Sequence, residues 1–239
     1  MNSIIIIIIL FLLFFYFSYG ETFNNVVTEG NIYIFYHVFC NKYTLEVVKD
    51  QINKIIFSGL YNKCKKIYCF ITGEDRYVKE CIDYIKRCGN KFSVEDIGID
   101  DKTYERFTLL KIKKYINPND KFLYLHSKGI TKQNNQYVTD WRNVMEYFLI
   151  FKFKDCLKEL DNYDTVGINH INPIHYSGNF WWTKGSYYMT LADNIPDYYI
   201  APENHICTGN PKARNIFSTK LEGMGHYTNL YPIINYVDL

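Results

Sequence analysis

The chain has 239 residues, 48% of them apolar and 22% charged, and its 27 basic and 25 acidic side chains leave a net charge of +2. Its charges form no basic block, which argues against a nucleic-acid partner. Seven cysteines form no CxxC pair and no zinc-like Cys/His spacing, so neither a disulfide scaffold nor a structural zinc site is expected.

Ile4 to Phe17 is an unbroken run of fourteen apolar residues. A membrane span needs about 20, whereas a signal-peptide core needs fewer. Ser18 and Gly20 offer small residues near a cleavage point, and counting Tyr19 and Gly20 lengthens the run toward an uncleaved anchor. Residues 1–20 are therefore expected to be a signal peptide or signal-anchor. That implies the secretory pathway, with the protein secreted, luminal or membrane-anchored through residues 4–17. Residues 21–30 read as a polar linker and 31–239 as one domain with a substantial core.

From Asn31 strand and helix alternate. Ile32–Phe39 reads as a strand. Leu45, Val48, Ile52, Ile55 and Ile56 recur at helical spacing over Thr44–Phe57, with Thr44 as a cap. Lys66–Ile71 is a second strand, stopped by Thr72-Gly73, with Cys69 expected to be buried. Asp75–Arg87 is helical, with Gly89 after it. On that helix Cys81 and Cys88 lie too far apart to bridge one another. Phe92–Ile97 is a third strand, Thr103–Tyr115 a helix ended by Asn117-Pro118, and Phe122–Leu125 a fourth strand. A long helix is expected over Thr139–Leu160, capped by Thr139 or Asp140, then a strand over Thr165–Asn169 and a short helix near Gly185–Ala192. This order predicts an α/β fold with a mostly parallel sheet and helices on both faces. GxGxxG and GxxxxGK[ST] are both absent, which argues against a dinucleotide oxidoreductase and a P-loop enzyme.

Two stretches carry candidate chemistry. Phe122–Leu125 runs into His126, Ser127, Lys128 and Gly129, and ligands of open α/β sheets lie beyond the carboxyl ends of strands. His175–Leu191 reads HYSGNFWWTKGSYYMTL. Ser-Gly-Asn allows close backbone approach, and indoles offer flat faces with one donor each, which suits a sugar ring or a nucleobase. An aromatic core strand entered by a glycine turn is the plainer reading. Strand alternation puts Trp181 and Trp182 on opposite faces, so only one should face a cleft.

The succession YLHSKG, Trp141-Arg142 with Met145, DTVGIN and HYSGNFWW resembles a family of glycosyltransferases of GT-A-like fold from bacteria and large DNA viruses. The likeness covers about Asn31 to Tyr236. It implies a single Rossmann-like GT-A-type domain, a nucleotide-sugar donor, and a glycan or glycoprotein hydroxyl as acceptor. Most GT-A enzymes hold a divalent cation with Asp-x-Asp after the fourth strand; here His126-Ser127-Lys128 stands in that place and offers no carboxylate. Metal independence is therefore expected, with Lys128 neutralising the leaving diphosphate and Ser127 donating to it. Mn2+ or Mg2+ held through His126 is the alternative, and Asp100-Asp101 is a metal or ribose site or a solvated turn. By the resemblance, Glu203 is the base of an inverting transfer, with Asp193 and Asp197 as substitutes. Glu105, His126 and Arg142 fall on the donor side; His175, Ser177, Asn179 and Trp181 fall on the sugar side. For Arg142 an internal ion pair competes, and His226 approaches a phosphate from the tail or is structural. The rival reading is a catalytically inactive glycan-binding protein on the same fold.

Overall fold

A computed structural model describes residues 30–98, 103–132, 135–171, 174–221 and 223–237. The expected leader, most of the linker and Asp100-Asp101 lie outside them. Among the described residues no helix is long and apolar enough to cross a membrane.

β1 (Ile32–Cys40) leads through α1 (Thr44–Phe57) and the single turn α2 (Leu60–Lys63) to β2 (Lys66–Gly73). α3 (Asp75–Arg87) and β3 (Phe92–Gly98) follow, then α4 (Arg106–Leu109), a 3-10 turn (Ile112–Lys114) and β4 (Lys121–His126). α5 (Gln136–Glu146) passes through a wider π turn (Tyr147–Phe151) into α6 (Phe153–Glu159). β5 (Thr165–Ile168), the ribbon β6 (His170–Ile171) and β7 (His175–Tyr176), and β8 (Trp181–Lys184) come next. α7 (Gly185–Tyr188), α8 (Ala201–His205) and β9 (Ala213–Phe217) follow, and two 3-10 turns (Gly223–Tyr227 and Ile233–Asn235) come after them.

The seven-stranded sheet has the order β3-β2-β1-β4-β8-β5-β9. All its pairs are parallel except those of β8, which runs antiparallel between β4 and β5. The result is one Rossmann-like α/β domain. Strand order reverses between β1 and β4, and the crevice beyond their carboxyl ends is where such sheets take ligands.

Period-two alternation splits the core. Ile34, Tyr36, Val38, Leu123, Leu125 and Trp182 pack with α1, α3 and α5 on one face. Tyr33, Phe35, Phe122, Tyr124, Trp181 and Tyr188 pack on the other. The two tryptophans do fall on opposite faces, but both are 0% exposed, so neither faces a cleft.

Two expected helices differ from the sequence reading. In place of one helix over Thr103–Tyr115 there are two short turns. The Leu109 carbonyl accepts a hydrogen bond from the Tyr188 hydroxyl (2.8 Å), which competes with continuation of the helix. The long helix begins at Gln136, where the Asn135 side chain accepts from Val138 N. Asp140 is no cap: it accepts from Gln136 Nε2 and Tyr231 N, tying the tail to α5. The five large apolar residues Tyr147–Phe151 cannot all share one inward stripe of a 3.6-residue helix. The chain widens there, and the Leu149 carbonyl accepts from Trp182 Nε1 (2.8 Å). Thr44 is the first helical residue rather than the cap, and its hydroxyl donates back to the Phe39 carbonyl. All seven cysteines are free thiols, Cys69 among the buried ones.

Candidate active site

The carboxyl ends of β1 and β4 are fastened to each other first. Ser127 N donates to the His37 carbonyl (3.0 Å), and Ser127 Oγ accepts from Phe39 N (3.0 Å). Ser127 is buried, so its hydroxyl serves as a backbone clamp and does not reach into the crevice as the sequence reading expected. Beside it, His37 Nδ1 pairs with Thr108 Oγ1 at 2.8 Å, and burial lowers the imidazole to a pKa of about 3, keeping it neutral.

Lys128 follows on a loop that Gly129 turns at φ +94°, a conformation open to glycine. Its Nζ lies 3.8 Å from the centre of the Trp141 ring, a cation–π contact. Burial lowers the Lys128 pKa, while Glu203 and Glu105 oppose that shift by favouring the ammonium form. Arg142 holds the loop from behind, donating from Nη1 to the Lys128 carbonyl (3.0 Å). Its other groups face Glu146 (3.5 Å) and Asp50 (3.9 Å). Arg142 thus belongs to the buried lattice between α1 and α5. There Glu146 also receives Lys54 (2.6 Å) and Gln51 (2.9 Å), so Arg142 makes the internal ion pair and not the donor contact.

Across the crevice, His126 Nε2 lies 3.0 Å from the Gly178 carbonyl and 3.2 Å from Glu105 Oε1. Burial and the Lys128 charge drive this imidazole well below its ordinary pKa, so a neutral N–H faces both acceptors. Glu105 sits in the turn before α4, and burial, then repulsion from Glu203, pushes its pKa up to about 7. The Lys128 charge works against that rise. Glu203, in the first turn of α8, is more open, and its Oε2 lies 3.9 Å from His175 Nε2. Burial lowers the His175 pKa, with Glu203 opposing. Lys128, Glu105, Glu203, His126 and His175 therefore form one electrostatically linked cluster.

The HYSGNFWW stretch shapes this cluster through its backbone. Gly178 has φ +93°, and a Cβ there would lie 2.4 Å from Met145 Sδ. Asn179 follows at φ +57°, a region that asparagine tolerates. Its Oδ1 accepts from Trp181 Nε1 (2.8 Å), and its Nδ2 has no hydrogen-bond partner. Trp181 stacks on Tyr124 at 4.9 Å, enclosed in the core. The indole orients Asn179 and offers no face to a sugar, because Phe122, Tyr124 and Tyr188 pack around it. Ser177 N donates to the Asn169 carbonyl (3.1 Å), and the Ser177 side chain is half-buried.

Sequence reasoning underrated several neighbours. Trp141 is buried, as core residues are, yet it is also the platform under Lys128, and His226 stacks on it at 4.7 Å. His226 is itself held by Asn169 and Thr219 and is kept neutral by burial, with a pKa of about 4. Asp193 and Asp197 project into solvent and pair with Lys113 and Arg106, at 2.6 Å each. Tyr104 and Tyr199 carry no local motif, but their rings meet at 5.5 Å.

No group of three or more His, Cys, Asp or Glu side chains among the described residues is arranged to hold a metal. A hard divalent ion prefers a set of oxygen ligands; the carboxylates of this cluster, Glu105 and Glu203, each face an imidazole and both act on the Lys128 ammonium. A separate cavity of about 280 Å³ is lined by Tyr43, Glu46, Gly129, Lys132, Gln136 and Arg142, and contains none of the clustered acids.

Residues 35–229 match the family model described as "Domain of unknown function (DUF8361)", and the chain belongs to that family. Among solved structures it is similar to 4-diphosphocytidyl-2C-methyl-D-erythritol synthase from Anaerococcus prevotii. That match has 7% identity and a TM-score of 0.44, and it covers 86% of this chain and 95% of the other. No curated protein matches.

Proposed function

We propose that the protein is a glycosyltransferase that moves a sugar from a nucleotide-sugar donor to a hydroxyl of a glycan or glycoprotein. The observation that carries this reading is the placement of Lys128 just beyond β4, at the switch point of the sheet, seated on Trp141 and under the electrostatic influence of Glu203 and Glu105. Together with the HSKG, WR and HYSGNFWW motifs, that cluster offers a cation for a leaving diphosphate and a carboxylate for an incoming hydroxyl. In an inverting transfer the acceptor oxygen bonds to the anomeric carbon as the bond to the diphosphate breaks. The diphosphate leaves with the electron pair, stabilised by Lys128, and the hydroxyl proton passes to Glu203. Glu203 is preferred over Glu105 because its side chain is 26% exposed against 16%. Glu105 holds a proton near neutral pH and donates or accepts at the donor side. No Asp-x-Asp follows β4, so Lys128 carries the diphosphate charge unless Mn2+ or Mg2+ is recruited by the substrate. The N-terminal run would deliver the domain to the secretory lumen, tethered or released.

The second reading, a glycan-binding relic without activity, draws on one observation: Glu203 and then Glu105 already favour the Lys128 ammonium with no ligand needed. The test is thermal unfolding of the full chain in detergent with nucleoside diphosphates and nucleotide sugars, in manganese or in chelator. A ligand at 100 times its Kd adds about 2.7 kcal/mol, or about 5–10 °C for a domain of this size. Stabilisation by one nucleotide, with sugar transfer lost in Glu203→Gln, supports transfer. No stabilisation by any nucleotide overturns it.

A further inference from the structure

The mouth of the acidic cluster carries an exposed aromatic pair that nothing in the sugar-transfer chemistry above uses. Tyr104 adjoins Glu105 in sequence, and Tyr199 lies just before the α8 helix that carries Glu203. Their rings meet edge to face at 5.5 Å, although 95 positions separate them. The two segments that deliver the carboxylates therefore meet through these rings. Tyr199 is 73% exposed and Tyr104 43%, with Tyr198 at 51% beside them. Tyr104 also has φ +47°, a strained conformation for a bulky side chain. Strain of this kind persists where the surroundings enforce it and collects at ligand sites.

Charge around the pair selects the ligand. Arg106 passes beneath Tyr104 at 5.8 Å, but its Nη2 is bound to Asp197 at 2.6 Å. Glu105 and Glu203 both act on the Tyr199 hydroxyl, whereas the Lys128 ammonium acts on the carboxylates from within the crevice. The mouth thus offers apolar ring surface bordered by carboxyl acceptors, which suits a neutral, hydroxyl-rich ring. We propose that the exposed Tyr199 ring, with Tyr104 set at right angles against it, forms a stacking platform for a pyranose ring of the acceptor, with its hydroxyl edge turned toward Glu203. This rests on the sugar-transfer reading and assigns the acceptor side of that site. It replaces Trp181, which the fold encloses, as the aromatic surface for sugar.

The probes are the methyl glycosides of glucose, galactose, mannose and N-acetylglucosamine. Saturation-transfer NMR is recorded on the full chain in a sugar-free, perdeuterated detergent. At least one glycoside is expected to receive saturation on its ring C–H protons. Tyr199→Ala should weaken that binding about tenfold, the size of one aromatic contact, and Tyr199→Phe should leave it within about twofold. Tyr104→Gly removes the second ring while relieving the backbone strain, so it is expected to fold and to weaken binding as well. Absence of transfer to all four glycosides, or transfer unchanged in both ring-deleting variants, overturns the platform. Nucleotide stabilisation read in the same samples separates the two ideas. Nucleotide binding without glycoside binding removes the platform and leaves the transferase. Glycoside binding through Tyr199 without nucleotide binding keeps the platform and favours the glycan-binding relic.

Discussion

Glu105→Gln should make the protein more stable at pH 8 and leave it almost unchanged at pH 4.5. Glu105 is raised from an ordinary 4.5 to about 7, chiefly by burial and then by Glu203. Between those values the folded protein keeps a proton that the unfolded chain has released. Stability from this group is therefore full below pH 4.5 and is lost as pH rises toward 7. At about 1.4 kcal/mol per pH unit the loss amounts to about 3 kcal/mol. The side chain is only 16% exposed, so little of that is screened. Glutamine mimics the protonated acid and titrates nowhere, so the variant escapes the penalty. Urea unfolding of both proteins at pH 4.5, 6 and 8 measures this directly, and at a slope of about 2–3 kcal/mol per molar the midpoint should rise by about 1 M at pH 8. If Glu105→Gln is instead destabilised equally at all three values, the carboxylate is ionised and paired in the fold. The picture of a protonated Glu105 beside a neutral His126 would then be wrong. A stabilising loss of charge is also what a functional site predicts, since natural proteins keep costly groups where chemistry uses them.

Acid should act in the opposite direction through the buried histidines. His37, His205 and His226 are held neutral at about 3, 4 and 4 against an ordinary 6.5, so the unfolded chain takes up protons below pH 6.5 that the fold refuses. Each costs about 1.4 kcal/mol per pH unit as pH falls toward its folded value, and together they outweigh the single opposing proton of Glu105. A urea midpoint that stays flat from pH 6.5 to 5 would count against it. Glu146→Ala should cost about 3–5 kcal/mol, because Lys54, Arg142 and Gln51 lose a shared, fully buried partner. A loss under about 1 kcal/mol in thermal unfolding would mean that water reaches the α1–α5 interface and satisfies the cations.

The sequence was most legible where local signals agreed. α1 and α3 have the limits expected from apolar periodicity and their stops, Thr44–Phe57 and Asp75–Arg87. It misled where a distant side chain intervened. The Tyr188 hydroxyl takes the Leu109 carbonyl, and Trp182 takes that of Leu149, and no window around residues 109 or 149 contains those donors. The site divides in the same way. A polar tripeptide after an apolar strand pointed to the crevice, and Lys128, Glu105, His126, His175 and Glu203 do gather around it. Whether each side chain is free there depends on the partners it finds, across the sheet or one helical turn away. Ser127 is spent on Phe39 and Arg142 on Glu146, and Trp181 is covered by Tyr124.

The most distinctive motif of the chain therefore acts at one remove. A sugar ring cannot reach Trp181, but Trp181 fixes Asn179, and the turn at Gly178 places a carbonyl on His126. His126, kept neutral, presents its N–H to Glu105 as well, so the acid is oriented by a backbone that tolerates no Cβ at residue 178. Tandem indoles in mid-sheet make that turn rigid, because β8 is paired on both sides and packed on both faces. The flat surface for a substrate has to come from where the sheet ends. There the loops bearing Tyr104 and Tyr199 meet through their rings, beside the segments that carry Glu105 and Glu203.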